Sequence, residues 1–255
     1  MSRAVAREWA AAAPTHWPAP AKLNLFLHVT GRRADGYHEL QTLFQLIDLE
    51  DTITLAPRAD GRIERRSGPA AIAAADDLAV RAAQALKEAS ATASGADIEV
   101  RKRIPLGAGL GGGSSDAATT LVALNELWGC GLSLAELGQL GLQLGADVPV
   151  FIQGFSAWAE GVGERLTPVT LPESWYVIIY PGVSISTRDV FQSAELTRNS
   201  PLITIRAFFE SGGHNDCESV VRARAPQVGE ALEWLGRTGS AHLSGTGSCV
   251  FTARA

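Results

Sequence analysis

The segment from Pro105 to Asp116 constrains the fold most strongly, because five glycines occupy seven consecutive positions, 107–113. Apolar and polar residues alternate before it, from Asp97 to Ile104, which predicts a strand. Apolar residues at helical spacing follow it. Glycine has no Cβ, so a ligand can approach the backbone closely, and a helix N-terminus offers free N–H groups and a partial positive charge. We therefore predict a phosphate-binding loop between a strand and a helix.

The loop does not match the common nucleotide-binding motifs well. No lysine follows the glycines, as a Walker A motif would require. Gly107, Gly109 and Gly112 fit GxGxxG literally, but the preceding strand alternates in polarity and ends in three basic residues, 101–103. The first strand of a dinucleotide-binding fold is usually buried on both faces. A flexible surface turn is the simpler alternative, although a turn rarely needs so many glycines directly before a helix.

Capping residues predict where two helices begin. Ser114, Ser115 and Asp116 follow the glycines and can cap the helix after the loop. Ser133 and Glu136 form an S-x-x-E capping box at the start of a second helix. Both helices carry apolar residues at three- and four-residue spacing.

Strands and helices mix without strict βαβ alternation, which predicts an α+β fold with two lobes that meet at a cleft. Ala21 to Val29 alternates and is predicted to be a half-buried strand. The polar stretch from Pro57 to Gly68 is predicted to be a loop. Glycines and prolines cluster from Gly161 to Pro172, where we place the boundary between the lobes.

Composition excludes several classes of function. The chain has 22 basic and 27 acidic residues, and a net charge of -5 argues against a nucleic-acid binder held by bulk electrostatics. It has no apolar run long enough to span a bilayer. Three cysteines without CxxC spacing suit a reducing compartment, so we expect a cytoplasmic protein, and five histidines without paired spacing predict no protein-held metal.

Two further segments place polar residues in apolar surroundings. Lys22 and Asn24 share one face of the strand Ala21 to Val29, although a lysine on an exposed strand face is normally solvated. Asp147 follows a helix and has apolar neighbours, so it is a candidate general base. The alternative is an aspartate that stabilises a turn by bonding its own backbone.

The order of three segments resembles that of the three motifs of the GHMP small-molecule kinases. These segments are Pro20–Leu25, Pro105–Ala118 and Leu243–Cys249, and the resemblance extends from Trp17 to Thr252. Four more segments are similar to the branch of this superfamily that acts on a cytidine diphosphate derivative of methylerythritol: 33–38, 145–151, 159–164 and 215–217.

The resemblance implies a two-lobed GHMP-kinase fold with a central cleft. It implies that the γ-phosphoryl group of ATP moves to the 2-hydroxyl of 4-diphosphocytidyl-2-C-methyl-D-erythritol in the non-mevalonate route to isoprenoids, with Mg²⁺ arriving with ATP. The implied domains are an ATP-binding domain, 17–164, and a substrate-side domain, 165–255, after an N-terminal extension, 1–16. Family members continue for another helix and strand, so we expect a truncated second domain that exposes an apolar face.

The resemblance also assigns roles to residues. It implies that Lys22 is the active-site lysine and Asp147 the catalytic aspartate. It places the phosphates of ATP on Pro105, Leu106, Gly107, Ala108, Gly109, Leu110, Gly111, Gly112, Gly113, Ser114 and Ser115. It places the substrate near Asn24, Tyr37, His38, Lys102, Thr187 and Phe191.

Three other functions fit parts of this pattern. A truncated, catalytically impaired protein of the same fold could bind ATP or a partner without turning over the substrate. Another GHMP activity, such as a homoserine or mevalonate-type kinase, is possible, although the segment Asp35–His38 disfavours it. A nicotinamide oxidoreductase rests on the GxGxxG match alone. The resemblance to the kinases implies a small-molecule substrate, and the sequence does not define an oligomeric state.

Overall fold

The computed structural model describes residues 13–254. Residues 1–12 of the predicted N-terminal extension, and residue 255, lie outside the described residues, while Thr15 and His16 begin the first strand. The strands are β1 Thr15–Arg32, β2 His38–Arg58, β3 Ile63–Ser67, β4 Gly95–Arg101, β5 Ala157–Gly161, β6 Arg165–Pro168, β7 Trp175–Ile179, β8 His242–Leu243 and β9 Val250–Arg254. The helices are α1 Leu78–Ser90, α2 Gly112–Leu127, α3 Leu134–Leu144, α4 Val148–Gln153, α5 Thr187–Gln192, α6 Ile205–Ser211, α7 Glu218–Arg224 and α8 Pro226–Gly236, with a 3₁₀ helix at Ala74–Asp76.

These elements form an α+β fold with two sheets, as the sequence predicts. The larger sheet has the order β3-β4-β2-β5-β6, and β1 also pairs with β2. The smaller sheet has the order β7-β9-β8. Helices α1 to α4 share one apolar core with the larger sheet, and α7 and α8 share another with β8 and β9. No helix among residues 13–254 combines the length and apolar character needed to cross a membrane.

Strand β1 is buried on both faces, so the prediction of a half-buried strand is wrong. It places Ala19, Leu23, Leu27 and Phe26 in four different apolar clusters, to two of which Ala21 and Val29 also belong. Residues 22, 24, 26 and 28 form the face of β1 that was predicted to contact solvent, yet Lys22 on that face is only 3% exposed. Alternation reports which residues share a face, but not whether a second layer of the protein covers that face.

Two local predictions about the first half of the chain are also wrong. The stretch predicted as a loop contains β3, which pairs in parallel with β4 and is held by an ion pair of 2.8 Å between Arg65 and Asp77. Ser114, Ser115 and Asp116 do not cap α2, because the helix already begins after Gly111, whose φ of 74° lies in the left-handed region.

Other predictions about local structure are confirmed. Ser133 and Glu136 form the predicted capping box at the start of α3. The domain division stays a prediction. Strand β6, which lies in the predicted second domain, 165–255, pairs with β5 and so extends the larger sheet.

Candidate active site

One cavity of about 1080 Å³ brings together nearly all the residues singled out from the sequence. Its lining includes Lys22, Asn24, Tyr37, His38, Lys102, Asp147, Thr187, Phe191 and every residue from Pro105 to Ser114. Ser115 is the exception, because it is fully buried inside α2. Residues that are up to 169 positions apart in the sequence, Lys22 and Phe191, therefore face one space.

The glycine loop forms the wall of the cavity next to α2. Gly107, Gly109 and Gly111 have φ angles of 62°, 76° and 74°, which favour glycine. A Cβ on Gly109 would lie 2.1 Å from the carbonyl oxygen of Ser244, so the loop and the later glycine turn approach each other too closely for a side chain. The Ser244 hydroxyl donates to the Gly109 carbonyl at 3.0 Å. The wall is thus built from two backbone segments in direct contact.

Lys22 projects from β1 to the edge of this loop. Its Nζ donates to the Asn24 Oδ1 and, at 3.0 Å, to the Gly109 carbonyl. It lies 3.4 Å from Oδ2 of Asp147 and 5.5 Å from the ring centre of Phe44. The ammonium group is therefore held in place by several partners, and the alternative of a solvated surface lysine is wrong.

Asp147 immediately precedes α4, a helix that the sequence patterns did not predict. Its side chain makes no capping hydrogen bond to the helix backbone, so the alternative of a turn-stabilising aspartate is not what the structure shows. The carboxylate, 34% exposed, instead faces Lys22 in the cavity. One basic and one acidic side chain thus meet beside a glycine-lined helix N-terminus, an arrangement suited to moving a proton next to bound phosphates.

The turn between β8 and β9 closes the same end of the cavity. Asn215 stabilises this turn, since its Nδ2 donates to the carbonyls of Leu243 at 2.9 Å and Gly245 at 2.8 Å. The hydroxyls of Thr246 and Thr187 lie 2.9 Å apart, which links this turn to α5. Gly245 of this turn also lines the cavity.

Aromatic rings also line the cavity. His38 stacks on Phe191, with ring centres 5.1 Å apart and planes inclined by 27°. Tyr37 is 63% exposed beside them. Burial lowers the pKa of His38 from its usual value, and the positive charges of Arg198 and Arg32 lower that pKa further. The sequence patterns missed Arg198, and no local motif around it signals its contact with His38.

Lys102 occupies a position between two buried carboxylates. It pairs with Asp51 and, at 2.5 Å, with Asp116, while Asp51 also accepts backbone hydrogen bonds from Arg103 and Ile104. Burial raises the pKa of Asp116 to about 7, although the positive charge of Lys102 opposes that rise. Lys102 therefore secures the start of α2 to β2 as well as lining the cavity.

Replacing Asp116 by asparagine is expected to flatten the pH dependence of stability. A carboxyl whose pKa is higher in the folded state than in the unfolded state holds more protons when folded, so its contribution to stability falls as pH rises from about 4 to about 7. Asparagine does not titrate and removes this fall. Urea unfolding of both proteins between these pH values measures it, with the exposed Asp189→Asn as control. Parallel stability curves for wild type and Asp116→Asn would contradict the assignment.

Comparison with known proteins identifies the class first. The sequence model described as "GHMP kinases N terminal domain" matches residues 77–155, which include the glycine loop and Asp147. A homoserine kinase from Cytophaga hutchinsonii shares the fold with a TM-score of 0.70 at 16% identity, covering 95% of this chain and 85% of that one. The fold is that of the GHMP kinases.

Closer relatives define the family. A 4-diphosphocytidyl-2-C-methyl-D-erythritol kinase from Halorhodospira halophila is 60% identical over 92% of this chain and 83% of its own length. One from Nitrosococcus oceani is 56% identical over 93% and 85%. A crystal structure of a 4-(cytidine 5'-diphospho)-2C-methyl-D-erythritol kinase has a TM-score of 0.80 at 38% identity, covering 93% of this chain and 89% of that one. The chain belongs to the 4-diphosphocytidyl-2-C-methyl-D-erythritol kinase family and is an enzyme.

Proposed function

We propose that the protein transfers the γ-phosphoryl group of ATP to the 2-hydroxyl of 4-diphosphocytidyl-2-C-methyl-D-erythritol, a step of the non-mevalonate route to isoprenoids. The observation that carries this proposal is the pair of Lys22 and Asp147, 3.4 Å apart and next to the glycine loop. The same cavity holds the stacked rings of His38 and Phe191. A phosphoryl-transfer end and a base-stacking end therefore share one space.

The chemistry follows from the positions of these groups. The backbone N–H groups of the glycine loop and the N-terminus of α2 bind the phosphates of ATP. The substrate oxygen bonds to the γ-phosphorus while the bond from that phosphorus to the ADP oxygen breaks, and Asp147 receives the hydroxyl proton. The ammonium of Lys22 stabilises the negative charge that develops on the attacking oxygen. The positive potential is local, which reconciles two anionic substrates with a net charge of -5.

The residues also fit a Mg²⁺ ion that arrives with ATP. Among residues 13–254 no group of three or more histidine, cysteine and acidic side chains is arranged to hold a metal. Mg²⁺ commonly uses one or two carboxylates together with water and substrate phosphates. Asp147 lines the cavity and lies near the glycine loop, since Lys22 contacts both Asp147 and the Gly109 carbonyl. Its carboxylate would supply the protein oxygen that binds Mg²⁺. When bound, the ion neutralises charge on the phosphates.

The cytosine ring is proposed to lie against Phe191, with Tyr37 and His38 beside it. Aromatic and imidazole rings suit this role because a base stacks on their faces and hydrogen bonds with a ring nitrogen. Asn24 and Thr187 also line the cavity and are proposed to contact the methylerythritol diphosphate.

A coupled assay of ADP release tests the proposal. Purified protein is mixed with ATP, Mg²⁺ and the cytidine diphosphate substrate, and homoserine and mevalonate serve as competing acceptors in parallel reactions. We expect ADP release with the cytidine substrate and background rates with the other two. ATP binding without turnover of the cytidine substrate by a folded sample would refute the proposal, as would preferred turnover of another acceptor.

A further inference from the structure

Three charged side chains lie close together beside the first turn of α2, and we call them the Lys102 cluster. The ammonium of Lys102 pairs with Asp51 of β2 and, at 2.5 Å, with Asp116 of α2. It also lies next to Gly112, the first residue of α2, because a Cβ on that glycine would be 3.2 Å from Nζ of Lys102. Lys102 and Gly112 both line the cavity. The cluster therefore adjoins the wall where the phosphates of ATP are proposed to bind.

The Lys102 cluster has one carboxyl group more than its single ammonium can neutralise. Asp51 accepts backbone hydrogen bonds from Arg103 at 2.6 Å and Ile104 at 2.8 Å, which compensate for its charge. Asp116 is 3% exposed, and no donor among residues 13–254 reaches its Oδ1. A buried carboxylate with an unsatisfied oxygen is costly as an anion. Asp116 is therefore the member of the cluster best placed to take up a proton.

The charges around Asp116 favour the same proton. Burial raises the pKa of Asp116 to about 7 against the attraction of Lys102, and the negative charges of Asp51 and Asp77 add to this rise. The other charged side chains near the start of α2 occur in pairs: Asp77 at the start of α1 with Arg65 of β3, and Lys22 of β1 with Asp147 before α4. Each of these pairs is internally neutral, so the Lys102 cluster carries the uncompensated charge.

We propose that Asp116 controls the affinity for ATP by taking up a proton from solvent when ATP binds. A protonated Asp116 leaves the Lys102 cluster neutral, whereas an ionised Asp116 places a negative charge about one helical turn from the phosphates. At roughly 10 Å and an effective dielectric constant of about 20, this repulsion weakens binding about tenfold. By linkage, bound ATP favours the protonated form by the same factor. The inference rests on the proposed function, because it assumes that the phosphates lie on the glycine loop.

Replacing Asp116 by asparagine tests the inference through the pH dependence of ATP binding. Asparagine keeps the shape, and its oxygen can still accept from Lys102, but it does not titrate. The Kd for ATP is measured with saturating Mg²⁺ from pH 6 to pH 9. We expect equal Kd values at pH 6 and binding about tenfold weaker in the wild type than in the variant at pH 9. The ratio of the two Kd values removes the titration of ATP and of other groups in the cavity.

The control variant is Asp48→Asn, which removes an exposed carboxylate of β2 and should follow the wild type at every pH. Calorimetric titration with ATP, in buffers of different protonation enthalpy, counts the protons taken up. At pH 7.5 we expect the wild type to take up about half a proton per ATP more than Asp116→Asn. A Kd ratio that stays constant from pH 6 to pH 9 would overturn the inference, even if the variant bound ATP more tightly throughout.

Carbon NMR of the Asp116 carboxyl group, assigned through the backbone, follows the titration in the wild type itself. We expect its midpoint to lie near pH 7 without ATP and to rise by about one pH unit with ATP bound. An unchanged midpoint would overturn the inference even if Asp116→Asn failed to fold, and would leave the proposed function intact. A folded wild type that does not bind ATP would instead refute the proposed function.

Discussion

Replacing Asp147 by asparagine is expected to lower kcat by about 100-fold or more, which is the usual scale for the loss of a general base. Asparagine has the same shape but does not accept the hydroxyl proton at neutral pH. Lys22 keeps its bonds to Asn24 and the Gly109 carbonyl, so the rest of the site should stay in place. Steady-state kinetics with saturating ATP and Mg²⁺ measure the effect.

The control for this prediction is a carboxylate outside the cavity. Asp48 lies exposed on β2, and Asp48→Asn should turn over at the wild-type rate. Thermal unfolding of both variants checks that the fold is retained. If Asp147→Asn kept a kcat within about tenfold of wild type, Asp147 would not be the base.

Replacing Gly109 by alanine is expected to impair both folding and activity. The new Cβ would lie 2.1 Å from the Ser244 carbonyl oxygen and 3.0 Å from backbone atoms of Gly247, so backbone has to move. The φ of 76° adds a strain of about 1–2 kcal/mol for any residue with a Cβ. We expect a loss of about 3 kcal/mol or more in the free energy of unfolding, from strain and overpacking together, and a large rise in KM for ATP.

Gly129 offers a matched control for the strain alone. Its φ is 65°, yet nothing lies within 4 Å of the position that a Cβ would occupy. Gly129→Ala should therefore cost only the backbone strain, about 1–2 kcal/mol, and leave KM for ATP unchanged. Urea unfolding and ATP titration of the two variants separate the two contributions. Equal destabilisation in both variants would show that the contact between the two glycine segments is unimportant.

The residues of the site were easier to predict than their surroundings. Five glycines before a helix and a lysine beside an asparagine on one strand are local patterns, and the structure brings both to one cavity. The burial of Lys22 was not predictable locally, because its partner Asp147 is 125 positions away. Helix α4 was missed because its six residues, with a proline in the first turn, give too short a periodic pattern.

Long-range contacts of arginine side chains account for two further omissions, and a backbone angle accounts for a misplaced helix cap. Arg198 donates to three carbonyls and one imidazole, and such partners carry no residue-type signal in a sequence. β3 was missed because its arginines look like a polar loop until the partner of Arg65, the buried Asp77, is known. The cap of α2 was misplaced because a glycine in the left-handed region ended the loop earlier than the serines did.

Strand β1 has a consequence for how this enzyme tolerates change. It bears Lys22 and Asn24, and it also inserts a side chain into each of the four apolar clusters. A substitution that loosens the packing of any of these clusters is expected to move β1 and, with it, the ammonium group of Lys22. Core substitutions far from the cavity are therefore expected to lower the rate of phosphoryl transfer as well as the stability. Natural selection for the reaction rate thus also preserves the packing of all four apolar clusters.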